Sequence, residues 1–195
     1  MPNHDHGSGR HEHGGMSSRG SFQNREVLLE AGLRSGAVFL DAGCGDGHFS
    51  ITASEIVGPD GLVFSFDKHT YSLELLNEEV DDRWIENIVV NRVDLTQGVP
   101  LRSGSIDMIF FSNVIHGFVY NGEMESVMKW AGRVLKEKGR IAVIEFRKEE
   151  TPNGPPVDHR VSSDELMDIF SGLNLKLLKT KEITEDHDLF VFGFP

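Results

Sequence analysis

Between Ala37 and Phe146 short apolar runs alternate with amphipathic stretches, and few folds can use that pattern. The apolar runs are Ala37–Asp41, Leu62–Phe66, Ile88–Val93, Ile106–Phe111 and Arg140–Phe146. Ile106–Phe111 is apolar almost throughout, as a strand covered on both faces must be. Helical spacing lies between the runs. Gly47–Val57 puts Phe49, Ala53, Ile56 and Val57 on one side, and Tyr71–Val80 does the same with Leu73, Leu76 and Val80. Gln23–Ala31 precedes the first run as a short helix, with Gly32 as its cap. The clearest helix opens at Met124 and carries Val127, Met128, Ala131, Val134 and Leu135 on one face. Glu123 and Glu125 stand at its start, and Arg133, Lys136 and Lys138 at its end before Gly139, so its charges complement the dipole. Ser162 and Glu165 form a capping box for a last helix with Leu166, Ile169 and Phe170. Leu175–Leu178 and Leu189–Phe194 read as strands with no helix between them, hence an antiparallel hairpin joined by Thr180–Asp188. The expected fold is α/β: a doubly wound, seven-stranded sheet, mostly parallel with an antiparallel C-terminal hairpin. Ligands of such sheets bind at the carboxyl ends of the strands.

Residues 1–21 differ in kind. They are rich in Gly, Ser and His, lack apolar periodicity, and read as a flexible tail ahead of one folded domain, 22–195. His4, His6, His11 and His13 form pairs that can bind Ni, Cu or Zn, or carry only incidental affinity; no metal site is expected in the domain. With 19 Lys+Arg against 31 Asp+Glu, the net charge is −12, which argues against a nucleic-acid surface. No apolar run is long enough to span a membrane, and the N-terminus lacks the apolar core of a secretory signal. The single cysteine, Cys44, excludes an intrachain disulfide and fits a reducing, cytoplasmic setting. Oligomeric state is not legible.

Polar residues follow four successive strands. After the first comes Asp41-Ala42-Gly43-Cys44-Gly45-Asp46-Gly47, a loop that can turn sharply and approach a ligand closely. The next position a dinucleotide fingerprint needs as glycine is His48, and Asp41 sits badly with a pyrophosphate but well with a cation. Cys44 reads as a small wall residue and His48 as a helix start. Asp67 after the second strand can accept from a ribose diol, or cap the following helix. Asp94 after the third can accept from an exocyclic amine, or serve a turn. Ser112-Asn113-Val114-Ile115-His116 follows the fourth. His116 is the best candidate base, or a structural histidine bonded to backbone. Glu145 and Arg147 end the fifth strand, where they could line a pocket or form a solvated ion pair. Trp130 reads as packing. The turn-rich segment Lys148–Pro156, followed by His159 and Arg160, reads as a lid or a plain crossover. An Arg160 facing the pocket would favour an anionic or carbonyl-bearing substrate.

These passages, taken in order, resemble the class I S-adenosylmethionine-dependent methyltransferases. VFLDAGCGDG is similar to the family's first motif, FSFDKH to the second, NRVDLTQ to the third and GSIDMIFFSNVIHG to the fourth. RVLKEKGRIAVIEF resembles its closing helix–strand passage, with Glu137-Lys138 where Pro-Gly is common. The resemblance covers Phe22 to Pro195, and within the family the small enzymes related to quinone-biosynthesis C-methyltransferases look most similar. It implies a Rossmann-like sheet with S-adenosyl-L-methionine as cofactor. Asp41, Gly43, Cys44, Gly45 and Gly47 would hold the methionine part, with Asp41 near the ammonium. Asp67 would take the ribose hydroxyls, Lys68 would border the adenine, Asp94 and the Leu95 backbone would meet its amine, and Asn113 would lie by the sulfonium. The implied activity is methyl transfer to a small-molecule acceptor by in-line displacement at the sulfonium methyl. The alternatives are a methyltransferase acting on protein or RNA, or a non-catalytic S-adenosylmethionine-binding protein. The charge disfavours RNA, and the absence of an Asn-Pro-Pro-Tyr-type motif after strand four disfavours base methylation.

Overall fold

The computed structural model describes residues 22–195, and the reading of 1–21 lies outside them. The elements run α1 (Asn24–Ala31), β1 (Val38–Ala42), α2 (His48–Val57), β2 (Leu62–Asp67), α3 (Thr70–Asp82), β3 (Ile88–Arg92), β4 (Ile106–Ser112), α4 (Ile115–Tyr120), α5 (Met124–Val134), β5 (Leu135–Phe146), α6 (Ser163–Ser171), β6 (Lys176–Glu182) and β7 (His187–Gly193). The strands form one sheet in the order β3-β2-β1-β4-β5-β7-β6. β1 to β5 are parallel; β7 runs antiparallel to both β5 and β6. The order reverses between β1 and β4, which opens a crevice at their carboxyl ends.

Period-two alternation assigns each face its helices. Phe39, Val63, Phe110, Ile144 and Val191 pack under α1 and α2. Leu40, Ile109, Phe111, Val143 and Phe192 pack under α4, α5 and α6. α3 joins the first face through Leu73 and Leu76, which meet Ile51 of α2 and Ile88 of β3. Each fully buried Phe or Leu contributes roughly 1.5–3 kcal/mol, so the two-sided sheet is held mainly by apolar burial.

Two expectations are corrected. Lys136–Gly139 do not finish the helix before β5. Leu135 leaves helical geometry (ψ 135) and pairs with Ile106, and the register shifts before Arg140 meets Met108. Burial of Leu135 against the β4 edge prevails over the helix preference of Lys-Glu-Lys. α4 is an added short helix whose β-branched and aromatic residues gave no helical signal; Ile115 and Phe118 make it a core element. Among the described residues no helix is long and apolar enough to cross a membrane.

Candidate functional site

The loop after β1 takes its shape from glycine. Gly43, Gly45 and Gly47 have φ of 85°, 54° and 75°. A Cβ on Gly47 would stand 2.3 Å from Cδ1 of the fully buried Leu76, and one on Gly43 2.7 Å from Val114. The loop is laced to the end of β2. Gly43 and Cys44 donate their amides to the Phe66 carbonyl, and Gly45 donates to Asp67 Oδ2 at 2.9 Å. Asp67 Oδ1 accepts from the His69 amide. Asp67 thus serves the local turn and does not cap α3, whose N-cap is His69 without a side-chain cap hydrogen bond; a carboxylate has about four acceptor positions, and two remain.

Asp41 lies beneath the loop, 2% exposed, and accepts from Ser50 Oγ at 2.6 Å; Ser50 in turn accepts from Ser65 Oγ. Burial pushes its pKa up to about 7; the Ser50 hydrogen bond opposes this, and the charge of Asp67 adds to it. Cys44 is buried among Ile51, Leu73 and Leu76. Burial, then Asp41 and Asp67, push its thiol well above the ordinary value, as befits a wall residue. His48 opens α2, with its ring against Phe49.

Beyond β3 the chain makes a 3-10 turn, Leu95–Gln97, capped by Asp94, whose Oδ1 accepts from the Thr96 amide and hydroxyl. Asp94 Oδ2 takes no hydrogen bond from the described residues and stays open to a ligand donor. The Leu95 carbonyl is held by Trp130 Nε1 at 2.8 Å, and Arg133 holds the carbonyls of Val99 and Leu101. Trp130 is therefore packing with a positioning task, and Arg133, in the last turn of α5 as expected, also serves this segment. Lys68, His69, Arg92 and Asp94 line a pocket of about 590 Å³ at this end of the crevice. Sequence reasoning missed His69 and Arg92; their places just past strand ends are the signal that could have found them.

After β4, Asn113 adopts φ 56°, and its Oδ1 is buried without a partner, as is Ser112 Oγ. An orphaned buried polar atom costs about 1–3 kcal/mol unless something fills the place. His116, 4% exposed, sets Nδ1 2.7 Å from Glu145 Oε2 and donates its amide to Oε1. Burial works against its imidazolium, but the charge and hydrogen bond of Glu145 outweigh that and raise the pKa above 6.5. Glu145 is neither a pocket lining nor a solvated ion pair; it is a buried partner of His116. Arg147 does form ion pairs, with Glu182 at 2.6 Å and Asp188 at 3.1 Å.

Arg160 turns inward. Its guanidinium donates to the carbonyls of Arg147, Glu149, Asn153 and Pro155 and to Thr151 Oγ1, and it lies over the Phe146 ring. It clamps the loop after β5 instead of facing a substrate.

The arrangement can hold a ligand that presents donors and positive charge to acidic strand ends, with buried acceptors waiting at Ser112 and Asn113. Such a ligand matches S-adenosylmethionine: a diol for Asp67, an amine for Asp94, and cationic groups near Asp41 and Asn113. The structure brings Asp41, the glycine loop, Asp67, Lys68, Asp94, Leu95 and Asn113 to one sheet edge.

Comparison with known proteins agrees. A methyltransferase-domain family profile matches residues 33–186. A probable cobalt-precorrin-6B C(15)-methyltransferase (decarboxylating) of Sulfurisphaera tokodaii is 26% identical over 117 residues, 60% of this chain and 57% of that protein. A demethylmenaquinone methyltransferase of Lactococcus lactis is 30% identical over 124 residues, 62% of this chain and 46% of that protein. The chain spans about half the length of these curated relatives. The crystal structure of an S-adenosylmethionine-dependent methyltransferase from Aquifex aeolicus superposes with a TM-score of 0.80 at 25% identity, covering 89% of this chain and 90% of that one.

Proposed function

Because the chain belongs to the class I S-adenosylmethionine-dependent methyltransferase family, we propose that it moves the cofactor's methyl group onto a small-molecule acceptor. When bound, the cofactor supplies a methyl on a sulfonium, already a good leaving group. What remains for the protein is to hold both partners in line and exclude water.

Residues 22–195 carry these tasks. Asp67 offers its remaining acceptor positions to the ribose, and Asp94 Oδ2 and the Trp130-anchored Leu95 segment meet the adenine, bordered by Lys68. The Gly43–Gly47 loop, Cys44 and Asn113 enclose the methionine part above Asp41. His116 accepts a proton where the acceptor arrives protonated; Glu145 holds its Nδ1 and so directs basicity to Nε2. The relatives named for precorrin and demethylmenaquinone chemistry support a small acceptor, as does the net charge of −12. The lone cysteine suits a cytoplasmic location.

One observation carries the reading: buried acceptor atoms of Ser112 and Asn113, without protein donors, stand at the sheet edge that also holds the positive-φ glycine loop. Calorimetry should show S-adenosylhomocysteine binding, weakened in Asp67→Ala by about 1.5–3 kcal/mol, roughly ten- to a hundredfold. Labelled-methyl transfer should enter the metabolite fraction of a cell extract; label mainly in RNA or protein overturns the small-molecule acceptor. With His116 as base, kcat rises with pH along a limb above 6.5, and Glu145→Gln moves that limb to lower pH. An unmoved limb removes the pair from proton transfer.

A further inference from the structure

His187 belongs to none of the roles above, yet it is 7% exposed and its Nε2 is buried with no hydrogen-bond partner. It opens β7 opposite Phe146, the last residue of β5, and so lies at the same sheet edge as Glu145. Lone-pair counting assigns its tautomer. Thr184 Oγ1 accepts from the amides of Asp186 and His187, which uses both lone pairs of the hydroxyl. Its proton must then go to His187 Nδ1, 3.1 Å away. Nδ1 is the acceptor, so in the neutral ring Nε2 carries the proton and is an orphaned donor. Burial holds the pKa below the ordinary imidazole value, which keeps the ring neutral.

The surroundings are aromatic. Phe146 lies 3.9 Å from the His187 ring centroid, and Phe22 stands edge-on at 5.0 Å while also touching Phe49. Charge narrows the ligand further. Glu145, Asp186 and Asp188 impose negative potential on the ring, against Arg160 alone of opposite sign. A neutral oxygen suits that field better than a carboxylate.

We propose that His187 recognises the methyl acceptor: its Nε2–H donates to a carbonyl or phenol oxygen on a flat ring that displaces Phe22 and packs against Phe146. The proposal rests on the methyltransferase reading and names the acceptor class within it.

The test uses the full chain saturated with S-adenosylhomocysteine, and three probes: acetophenone, ethylbenzene and benzoate. Nitrogen-15 spectra of His187 should show the neutral Nε2–H tautomer in the ligand-free chain, and acetophenone should move that resonance. Acetophenone should bind at least fivefold more tightly than ethylbenzene, with benzoate weaker than acetophenone. His187→Phe should erase the acetophenone preference. Thr184→Val, which keeps the histidine but removes the hydroxyl that fixes its tautomer, should reduce it. An Nδ1–H tautomer, an imidazolium at pH 7.5, no acetophenone binding, or a preference unchanged in His187→Phe each overturns the proposal. A separate titration with S-adenosylhomocysteine alone tests the methyltransferase reading, and the tautomer of the ligand-free chain is read independently of its outcome.

Discussion

After β1 the chain turns through glycines at positive φ, and neighbouring acceptors hold its amides: the Phe66 carbonyl takes two and the Asp67 carboxylate one. After β5 the chain runs through Pro152, Pro155 and Pro156, and there one cation holds the carbonyls. The contrast has a chemical root. Proline has no N–H, so a proline-rich loop has more acceptors than donors and must import the difference. Arginine brings five N–H groups in a rigid fork and is suited to that task. A glycine loop keeps its amides and can be fixed by acceptors already at a strand end. Both loops border the same crevice, and the first packs against Val114, beside Ser112 and Asn113, whose buried side-chain oxygens take no hydrogen bond from the described residues. On the proposed reading a ligand completes the first half; in the second, Arg160 satisfies the carbonyls of its own loop.

The largest effect that tests this division concerns Asp41, beneath the glycine loop. Between pH 3.8 and about 7 the folded chain keeps a proton there that the unfolded chain has lost. Stability therefore falls as pH rises through that window, by roughly 4 kcal/mol. Asp41→Asn should remove this fall, read as the wild-type-minus-variant difference in urea denaturation at pH 4 and pH 8. The subtraction matters because Glu165 runs the other way. The Lys148 hydrogen bond and the Ser162 amide lower its pKa to about 2, so its contribution is present above its ordinary 4.5 and lost as pH falls toward 2. If a ligand cation lies over Asp41, S-adenosylmethionine binding at pH 6.5 should release up to one proton in the wild type and none in Asp41→Asn. Calorimetry in buffers of different ionisation enthalpy reads this directly. Equal release in both chains would break the link between Asp41 and the cofactor half.

Arg160→Ala comes next. It strips the loop after β5 of its donors and should cost about 3 kcal/mol, with new protease cleavage between Lys148 and Asp158. Arg160→Lys should recover little, because an ammonium cannot reproduce the fork. S-adenosylhomocysteine affinity should stay within about twofold. A loss of affinity parallel to the loss of stability would show that the two loops form one unit.

The smallest effect sharpens the cofactor half alone. Trp130→Phe keeps most of the packing and removes the hydrogen bond to the Leu95 carbonyl. About 1 kcal/mol of stability should go with it, and affinity for S-adenosylhomocysteine should fall two- to fivefold as the Asp94–Leu95 segment loosens. Unchanged affinity would confine Trp130 to the core.

Local rules carried most of the elements. The short apolar runs located every strand, and the Ser162–Glu165 box, with both its hydrogen bonds, started α6. They failed where distant pairing overrode local preference. Lys136–Gly139 went into β5 because Leu135 found Ile106, and α4 formed because Ile115 and Phe118 found the core. In the site, glycines and strand-end carboxylates were readable because their task is local: a backbone turn, or an acceptor at a strand tip.

By itself, then, the sequence determined the alternation of strands and helices, the glycine loop, and the acidic strand ends that mark one crevice. These follow from steric limits on φ and from periodicity, which act over a few residues. Tertiary structure alone decided the rest. It set Glu145 against His116, turned Arg160 from the pocket onto four carbonyls, and stood His187 against Phe146 with Nδ1 beside the Thr184 hydroxyl. Each of these depends on strand register and burial, which bring together residues far apart in the chain and fix who donates to whom.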